Sequence, residues 1–302
     1  MARGKVLVSS LALVCLLAAS CDSFQAPHAS QQTVRPFDYS QAVAVSVSAD
    51  SVYLVDPASG EVKRVVTGLI DFQSGYAAWG PGHRKLAYGN GGIFILDPKT
   101  GKRTTLIKHP GLSLPAWSSS GKRMVYGDGS NLWITPTAKL DATYIQLPVE
   151  LAPLSPAWRP GDQIAFSGLK LDCAQAEGCT STEERDVWVI QADGTGLTQV
   201  SHVGSADSPK WAPDGRRILF IWRLGKHKRE LWMIPEIGAS PRRLIDAQRV
   251  IAADWSPDNS QVAYLLPGER DQTLQLWIAD ADGSSPYKVG PLIHGTEATL
   301  DW

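Results

Sequence analysis

The chain has 302 residues, with 29 basic and 30 acidic side chains and a formal net charge of −1. This balance argues against a general nucleic-acid-binding protein, because such proteins neutralise phosphates with an excess of lysine and arginine. No long segment has the 3.6-residue hydrophobic periodicity of an amphipathic helix, which argues against a helical solenoid.

The first twenty residues have the pattern of a secretory signal. Arg3 and Lys5 precede an apolar run over residues 6–19 that is too short for a membrane-spanning helix. The run ends in the letters LAASC, which resemble the lipobox of bacterial lipoproteins, where small residues precede a cysteine that is acylated. The resemblance implies a signal peptide over residues 1–20 and lipidation of Cys21. The alternative is an ordinary signal peptide cleaved nearby, with Cys21 left as a free thiol.

Residues 21–40 are predicted to form a flexible, lipidated tether. The segment is rich in Gln, Ser, Pro, Ala and Thr and has few large apolar side chains, so it buries too little surface to fold. We therefore expect an extracytoplasmic protein held at a membrane by its N-terminal lipid. The membrane face is the periplasmic side of an inner membrane or an outer cell surface, depending on the organism.

From residue 41 onward the sequence is a repeat built on tryptophan. Five segments begin with a tryptophan and reach another aromatic residue eight or nine positions later, and the chain ends on a sixth tryptophan. The six are Trp79, Trp117, Trp158, Trp211, Trp255 and Trp302. Their spacing of 38 to 53 residues is typical of propeller blades of four strands. After each of the first five tryptophans, Pro-Asp-Gly or a relative predicts a tight turn into the next strand.

The two ends of the repeat predict how the ring closes. Residues 42–48, 51–56 and 62–66 supply the second, third and fourth strands of a blade that lacks its first strand, and residues 299–302 supply that strand. The predicted fold is therefore all-β, a six-bladed β-propeller of four-stranded antiparallel blades over residues 41–302. Closure by the C-terminal strand removes the exposed edge that an open sheet would present. The alternative is a truncated seven-bladed propeller.

The repeat resembles the TolB-type propeller repeat, whose units carry a P-x-W-S-P-D-G core and a later D-x-D-G turn. The best matches are WSPD from Trp255, APDG at residues 212–215 and DADG at residues 280–283. The resemblance covers roughly residues 41–302 and implies a propeller that works with other cell-envelope proteins. The family's α/β domain has no counterpart between the tether and the repeats.

Two cysteines remain after the signal and the lipidation site. Cys173 and Cys179 lie six positions apart in a polar loop, and outside the reducing cytoplasm this predicts a disulfide that staples the loop. The alternative is a two-cysteine metal site, which no nearby histidine supports.

The longest loops are predicted to share one face of the propeller, where strands two and three connect. Blade four presents an acidic lobe, residues 170–186, which contains Glu183 and Glu184. Blade five presents a basic finger, residues 223–229, with Arg223, Lys226, His227, Lys228 and Arg229. Complementary patches of this kind favour a docking surface for a partner. The alternatives are two solvated hairpins that neutralise each other, or a finger that meets anionic lipid headgroups.

A second candidate site lies near the central channel. The residue before each repeat tryptophan is alanine in three successive blades, then Lys210, Asp254 and Asp301 in the next three. With Asp207 on the same innermost strand as Lys210, these side chains are expected to form a polar half-ring that could hold a small ligand or a cation. The alternative is simple pairing of Lys210 with Asp254.

No motif for a hydrolase nucleophile, a zinc peptidase or a nucleotide-binding loop is present. The favoured hypothesis is a monomeric, lipid-anchored scaffold without cofactor or metal, which binds an envelope protein or a peptidoglycan-associated partner. The alternative is a carbohydrate-active lyase or lactonase-type enzyme, with Asp207, Lys210, Asp254 and Asp301 at the channel mouth.

Overall fold

The computed structural model describes residues 35–69, 76–108, 113–138, 141–173, 178–225 and 227–302. These residues form 24 β-strands and one short 3-10 helix, Pro81–His83. In chain order the strands are β1 (Val43–Val47), β2 (Ser51–Val55), β3 (Val62–Thr67), β4 (Ala77–Trp79), β5 (Leu86–Gly89), β6 (Ile93–Leu96), β7 (Arg103–Ile107), β8 (Ser113–Trp117), β9 (Arg123–Gly127), β10 (Leu132–Pro136), β11 (Thr143–Ile145), β12 (Leu151–Trp158), β13 (Gln163–Asp172), β14 (Thr180–Gln191), β15 (Thr198–Gln199), β16 (Ala206–Trp211), β17 (Ile218–Arg223), β18 (Arg229–Ile234), β19 (Arg242–Arg243), β20 (Ala252–Trp255), β21 (Gln261–Pro267), β22 (Thr273–Asp280), β23 (Tyr287–His294) and β24 (Ala298–Asp301).

The strands form six antiparallel sheets of four strands, which are the blades of a propeller. Blades two to six follow the chain, from β4–β7 in blade two to β20–β23 in blade six. Blade one takes β24 as its innermost strand, followed by β1, β2 and β3. In this closure Asp301 lies opposite Ala44, and Ala298 lies opposite Val47. The predicted fold, six blades closed by the C-terminal strand, is confirmed.

The turn after each repeat tryptophan is fixed by local hydrogen bonds, as blade six illustrates. The Ser256 hydroxyl donates to Asp258 Oδ1 at 2.7 Å and accepts from the backbone N–H of Gln261 at 2.9 Å. Asn259 has φ of 64°, a left-handed conformation that asparagine tolerates better than most residues. The Ser-Pro-Asp-Asn sequence thus returns the chain directly into β21.

The hydrophobic core is divided among the blade interfaces. Six clusters of buried side chains each combine residues from two neighbouring blades. One of them joins blades six and one, where Leu276 and Ile278 pack with Val45 and Leu300. The ring is therefore held by apolar burial at its closure as well as around its other interfaces.

The indole groups of the repeat tryptophans make two kinds of contact. In the half of the ring around the closure, the indole N–H donates to a backbone carbonyl, which belongs to the preceding blade for Trp79 and Trp117 and to the segment before β1 of the same blade for Trp302. Trp302 donates to Gln41, Trp79 to Ala42 and Trp117 to Ala78, at 2.8 to 3.0 Å.

In the other half, an arginine from the preceding blade lies over the indole. The distances from guanidinium carbon to ring centroid are 5.0 Å for Arg123 over Trp158, 5.0 Å for Arg159 over Trp211 and 4.2 Å for Arg217 over Trp255. These are cation–π contacts. Among the described residues, the indole nitrogens of these three tryptophans have no hydrogen-bond partner.

The compact unit begins a few residues before residue 41. Phe37, which the sequence places in the tether, is buried and packs in the cluster between blades one and two. Residues 1–34, and with them the predicted signal peptide, Cys21 and most of the tether, lie outside the described residues. No helix in the described ranges has the length and apolar character needed to span a membrane.

Candidate functional site

The innermost strands surround a cavity of about 630 Å³ in the central channel. Its lining includes Pro81, Pro160, Pro213 and Pro257 from the turns that follow the innermost strands, so it opens on the face that carries these turns. We call this cavity the funnel. Ala78, Ala116 and Ala157 line one half of its wall, as the sequence predicts.

Two of the β-bulges in the innermost strands that line the funnel contain a Ser-Pro pair. Pairing of β12 with β13 shifts between Leu154 and Ala157, and pairing of β16 with β17 shifts between Asp207 and Lys210. The serine of each pair has φ of 50°. Bulges bend a strand and redirect the side chains that follow, and here those side chains are Ala157 and Lys210.

The other half of the wall is polar and is centred on Lys210. Its Nζ lies 3.0 Å from Asp254 Oδ2 and 2.7 Å from Asp301 Oδ1. The three side chains are mostly buried, with 25 %, 10 % and 17 % of their surfaces exposed. The geometry agrees with the pairing of Lys210 with Asp254 and adds Asp301 to it. The ammonium lies between the two carboxylates and compensates one of their two negative charges.

Backbone amides hold both carboxylates in place. Asp254 accepts from Trp255 N–H at 2.8 Å through Oδ1 and from Trp302 N–H at 3.3 Å through Oδ2. Asp301 accepts from Trp79 N–H at 2.7 Å through Oδ2. Both oxygens of each carboxylate are therefore engaged within the protein.

The triad changes the protonation behaviour of its members. Burial, followed by the charge of Asp301, raises the pKa of Asp254 to about 7, although Lys210 acts in the opposite direction. Burial lowers the pKa of Lys210, but the charges of Asp254 and Asp301 more than offset this and raise it above the ordinary lysine value. One carboxyl in the funnel thus titrates near neutral pH.

Asp207 does not join this triad, contrary to the sequence expectation. Its buried carboxylate lies 2.5 Å from Arg223 and 3.3 Å from Arg185. The bulge between Asp207 and Lys210 separates the two side chains along β16. Arg185 belongs to the acidic lobe and Arg223 to the basic finger, so Asp207 joins the bases of these two loops.

Two further cations of the finger, Lys228 and Arg229, are also paired within the described part of the chain. Lys228 lies 3.1 Å from the buried Glu230, and Arg229 lies 3.2 Å from Glu297. His227 is exposed, and Lys226 lies outside the described residues. Each of the three paired cations of the finger, Arg223, Lys228 and Arg229, therefore has a neighbouring carboxylate that balances its charge.

The acidic lobe is the long hairpin of β13 and β14. Its predicted disulfide is present, with 2.01 Å between the sulfur atoms of Cys173 and Cys179. Glu183 and Glu184 are exposed, and Glu184 lies 3.2 Å from Lys170 across the hairpin. Asp186 at its base is buried and accepts hydrogen bonds from Ser201, Val203 and Gly204, so its role is structural.

Comparisons with known proteins bear on the fold and on part of the sequence. No protein-family model matches the chain. The Tol-Pal system protein TolB of Anaeromyxobacter dehalogenans strain 2CP-C is 34% identical over 83 residues, and its counterpart in strain 2CP-1 is 32% identical over 83 residues. Each match covers 27% of this chain, and the chain spans only 18% of the length of these curated relatives.

Solved structures match much more of the chain. A crystal structure of TolB from Acinetobacter baumannii superposes with a TM-score of 0.68, covering 88% of this chain and 67% of that chain at 15% identity. A putative TolB from Agrobacterium tumefaciens gives a TM-score of 0.62, covering 85% and 90% at 16% identity. The fold is a TolB-like six-bladed β-propeller.

A chain of the nidogen/laminin complex also matches, with a TM-score of 0.63 and 11% identity, over 86% of this chain and 97% of that chain. Because differently named proteins share this architecture, the fold alone does not indicate the function, which has to be inferred from the site.

The sequence does not identify several charged residues that the structure of this TolB-like propeller places at or beside the basic finger. Glu230 and Glu297 hold the finger, and Arg249 and Arg270 line a second cavity beside it. Glu230 stands out only as an acidic residue inside an apolar strand. The other three lie in connections between strands, where a charged residue is unremarkable.

Proposed function

We propose that the protein is a lipid-anchored, extracytoplasmic scaffold of the bacterial cell envelope that binds a partner protein without catalysing a reaction. The curated relatives are named as TolB of a Tol-Pal system, which supports a partner in the envelope. The secretory pattern and the LAASC sequence at Cys21 support export and lipid anchoring.

The funnel is the observation that supports protein binding most directly. It is a concave site of about 630 Å³ with prolines, alanines and indoles along much of its wall and a polar group on one side. Concave, mostly apolar sites with few polar groups are the usual form of ligand sites. We propose that it receives a projecting segment of the partner, while the closed ring provides a rigid frame.

The face with the basic finger and acidic lobe is the second proposed contact region. Arg223, Lys228, Arg229, Glu183 and Glu184 remain partly exposed there. We favour the funnel because each of these three cations already has a carboxylate partner, and a new partner would have to compete with it.

The enzyme alternative is supported by one observation, the raised pKa of Asp254 inside the cavity. A general acid or base must have an oxygen free to reach the substrate. Asp254 uses both oxygens for Lys210, Trp255 and Trp302, which argues against that role. Turnover of a lactone or a uronic-acid polymer by the wild type, and its loss in Asp254→Asn, would favour the enzyme.

Affinity capture from solubilised envelopes tests the scaffold. Ala116→Arg places a long side chain in the funnel, and Thr143→Arg places the same side chain on the exposed outermost strand of the same blade. A stoichiometric partner retained by the wild type and by Thr143→Arg, but lost by Ala116→Arg, supports binding in the funnel. Capture lost instead in Lys228→Glu would move the site to the opposite face.

A further inference from the structure

A second cavity of about 280 Å³ lies on the face opposite the funnel opening, between blades five and six. Its walls come from the β17–β18 loop, the β21–β22 loop and the two connections that lead into blades six and one. We call it the blade 5/6 cleft. Its volume is just under the 300–1,000 Å³ of typical pockets for drug-sized ligands, so it suits a smaller group.

Basic side chains reach this cleft from separate parts of the chain. Arg229, Arg249 and Arg270 line it together with His227, and the carboxylates in the lining are Asp271 and Glu297. Three arginines against two carboxylates give the cleft a net positive charge before the histidine is counted.

The arginines differ in what they already bind. Arg229 donates through both terminal nitrogens to the two oxygens of Glu297, at 3.2 Å each. Arg249 and Arg270 are exposed and form no ion pair with another described residue. Two guanidinium groups that border one concavity are therefore available to a ligand.

We propose that the blade 5/6 cleft binds a phosphate group, either free in solution or in the headgroup of an anionic lipid. A guanidinium fork matches two oxygens of a carboxylate or a phosphate, and the Arg229–Glu297 pair shows that one fork satisfies a carboxylate. A phosphate has further oxygens, and these can accept from a second guanidinium and from His227 on other sides of the cleft. The site is independent of the proposed scaffold role of the funnel.

Titration of the full-length protein with inorganic phosphate, followed by calorimetry and by thermal unfolding, tests the proposal. Sodium chloride at matched ionic strength is the control for charge screening. The wild type is expected to bind saturably and to gain thermal stability with phosphate but not with chloride. The Arg249→Gln/Arg270→Gln double variant should bind at least tenfold more weakly.

A matched arginine separates the cleft from general surface charge. Arg216 is exposed in the turn between β16 and β17 and does not line the cleft, so Arg216→Gln should bind phosphate as the wild type does. Arg249→Lys keeps the charge but loses the fork, and should show an intermediate affinity. Equal phosphate binding by the wild type and the double variant, or no saturable binding, would overturn the proposal.

Vesicles then distinguish the two sources of phosphate. Sedimentation with vesicles of phosphatidylglycerol, compared with vesicles of phosphatidylcholine, reports on an anionic headgroup; Cys21→Ala removes any contribution from the lipid anchor. If the protein binds phosphatidylglycerol vesicles and the Arg249→Gln/Arg270→Gln variant does not, the cleft binds a lipid phosphate. Saturable binding of inorganic phosphate without binding to vesicles assigns the cleft to a soluble phosphate.

Discussion

Lys210 Nζ lies 2.7 Å from Asp301 Oδ1, although the two residues belong to blades five and one. Asp254 of blade six contacts the same ammonium group at 3.0 Å, and Asp301 also accepts from Trp79 N–H in blade two. The triad therefore connects four consecutive blades across the point where the ring closes. The same three side chains line the funnel. The contacts that hold the closing strand in the ring therefore also hold the polar side of the funnel wall.

Lys210→Met is expected to destabilise the propeller. The substitution leaves two mostly buried carboxylates close together without their cation, and removing one partner of a buried ion pair typically costs about 3–5 kcal/mol. Because Lys210 retains some exposure, we expect about 2–4 kcal/mol, measured by denaturant unfolding. Arg216→Met, at an exposed arginine, is the control and should change stability by less than about 0.5 kcal/mol. Equal stability of Lys210→Met and the wild type would contradict a structural role for the triad.

The raised pKa of Asp254 predicts a specific dependence of stability on pH. The folded protein binds this proton up to about pH 7, whereas an unfolded aspartate releases it near pH 4. The free energy of unfolding of the wild type, relative to Asp254→Asn, should therefore fall between about pH 4 and pH 7. The slope is at most about 1.4 kcal/mol per pH unit, and the difference should level off above that range. A relative stability that stays constant between pH 4 and pH 7 would mean that Asp254 is ionised throughout this range in the folded protein.

The arginines over the indoles should contribute to the rigidity of the ring. Arg217→Met keeps an apolar stem over Trp255 but removes the cation–π contact at 4.2 Å. We expect a loss of about 1 kcal/mol in the free energy of unfolding. Arg217 also lies 3.4 Å from Asp214, so Asp214→Asn is the control for the ion pair. Arg217→Met also removes a hydrogen bond to the Asn259 carbonyl. If both variants lose the same stability, neither that bond nor the indole contact contributes beyond the ion pair.

The proposed anchor predicts where the protein is found in cells. Cys21→Ala removes the only residue that we expect to be acylated, so the protein should lose incorporation of labelled palmitate and leave the membrane fraction. Cys173→Ser/Cys179→Ser removes the two disulfide-bonded cysteines and should retain both label and membrane association. Membrane association that survives in Cys21→Ala would point to another attachment.

The fold was predictable because its signal is repeated. Six tryptophans at blade spacing, each at the end of an innermost strand, define the strands and also the closure of β24 on β1. Three successive blades with Ala78, Ala116 and Ala157, followed by three with charged residues at equivalent places, likewise predict the two halves of the funnel wall.

The charge partners were less predictable because they depend on distances between blades. The sequence places Asp207 and Lys210 on one strand, but a bulge separates their side chains. Asp207 therefore forms ion pairs with Arg185 and Arg223 instead. Glu297 lies 68 positions from Arg229, in a connection without a pattern of its own. Such pairs become visible only when the ring is assembled.

Photo-crosslinking from the funnel tests the central claim most directly. A photoreactive amino acid at position 116 faces the funnel, and the same group at position 143 of the same blade faces solvent. After irradiation of living cells, we predict a discrete crosslinked envelope protein from position 116 that is absent from position 143. No adduct from position 116, together with a discrete adduct from position 228 in the basic finger, would contradict binding in the funnel.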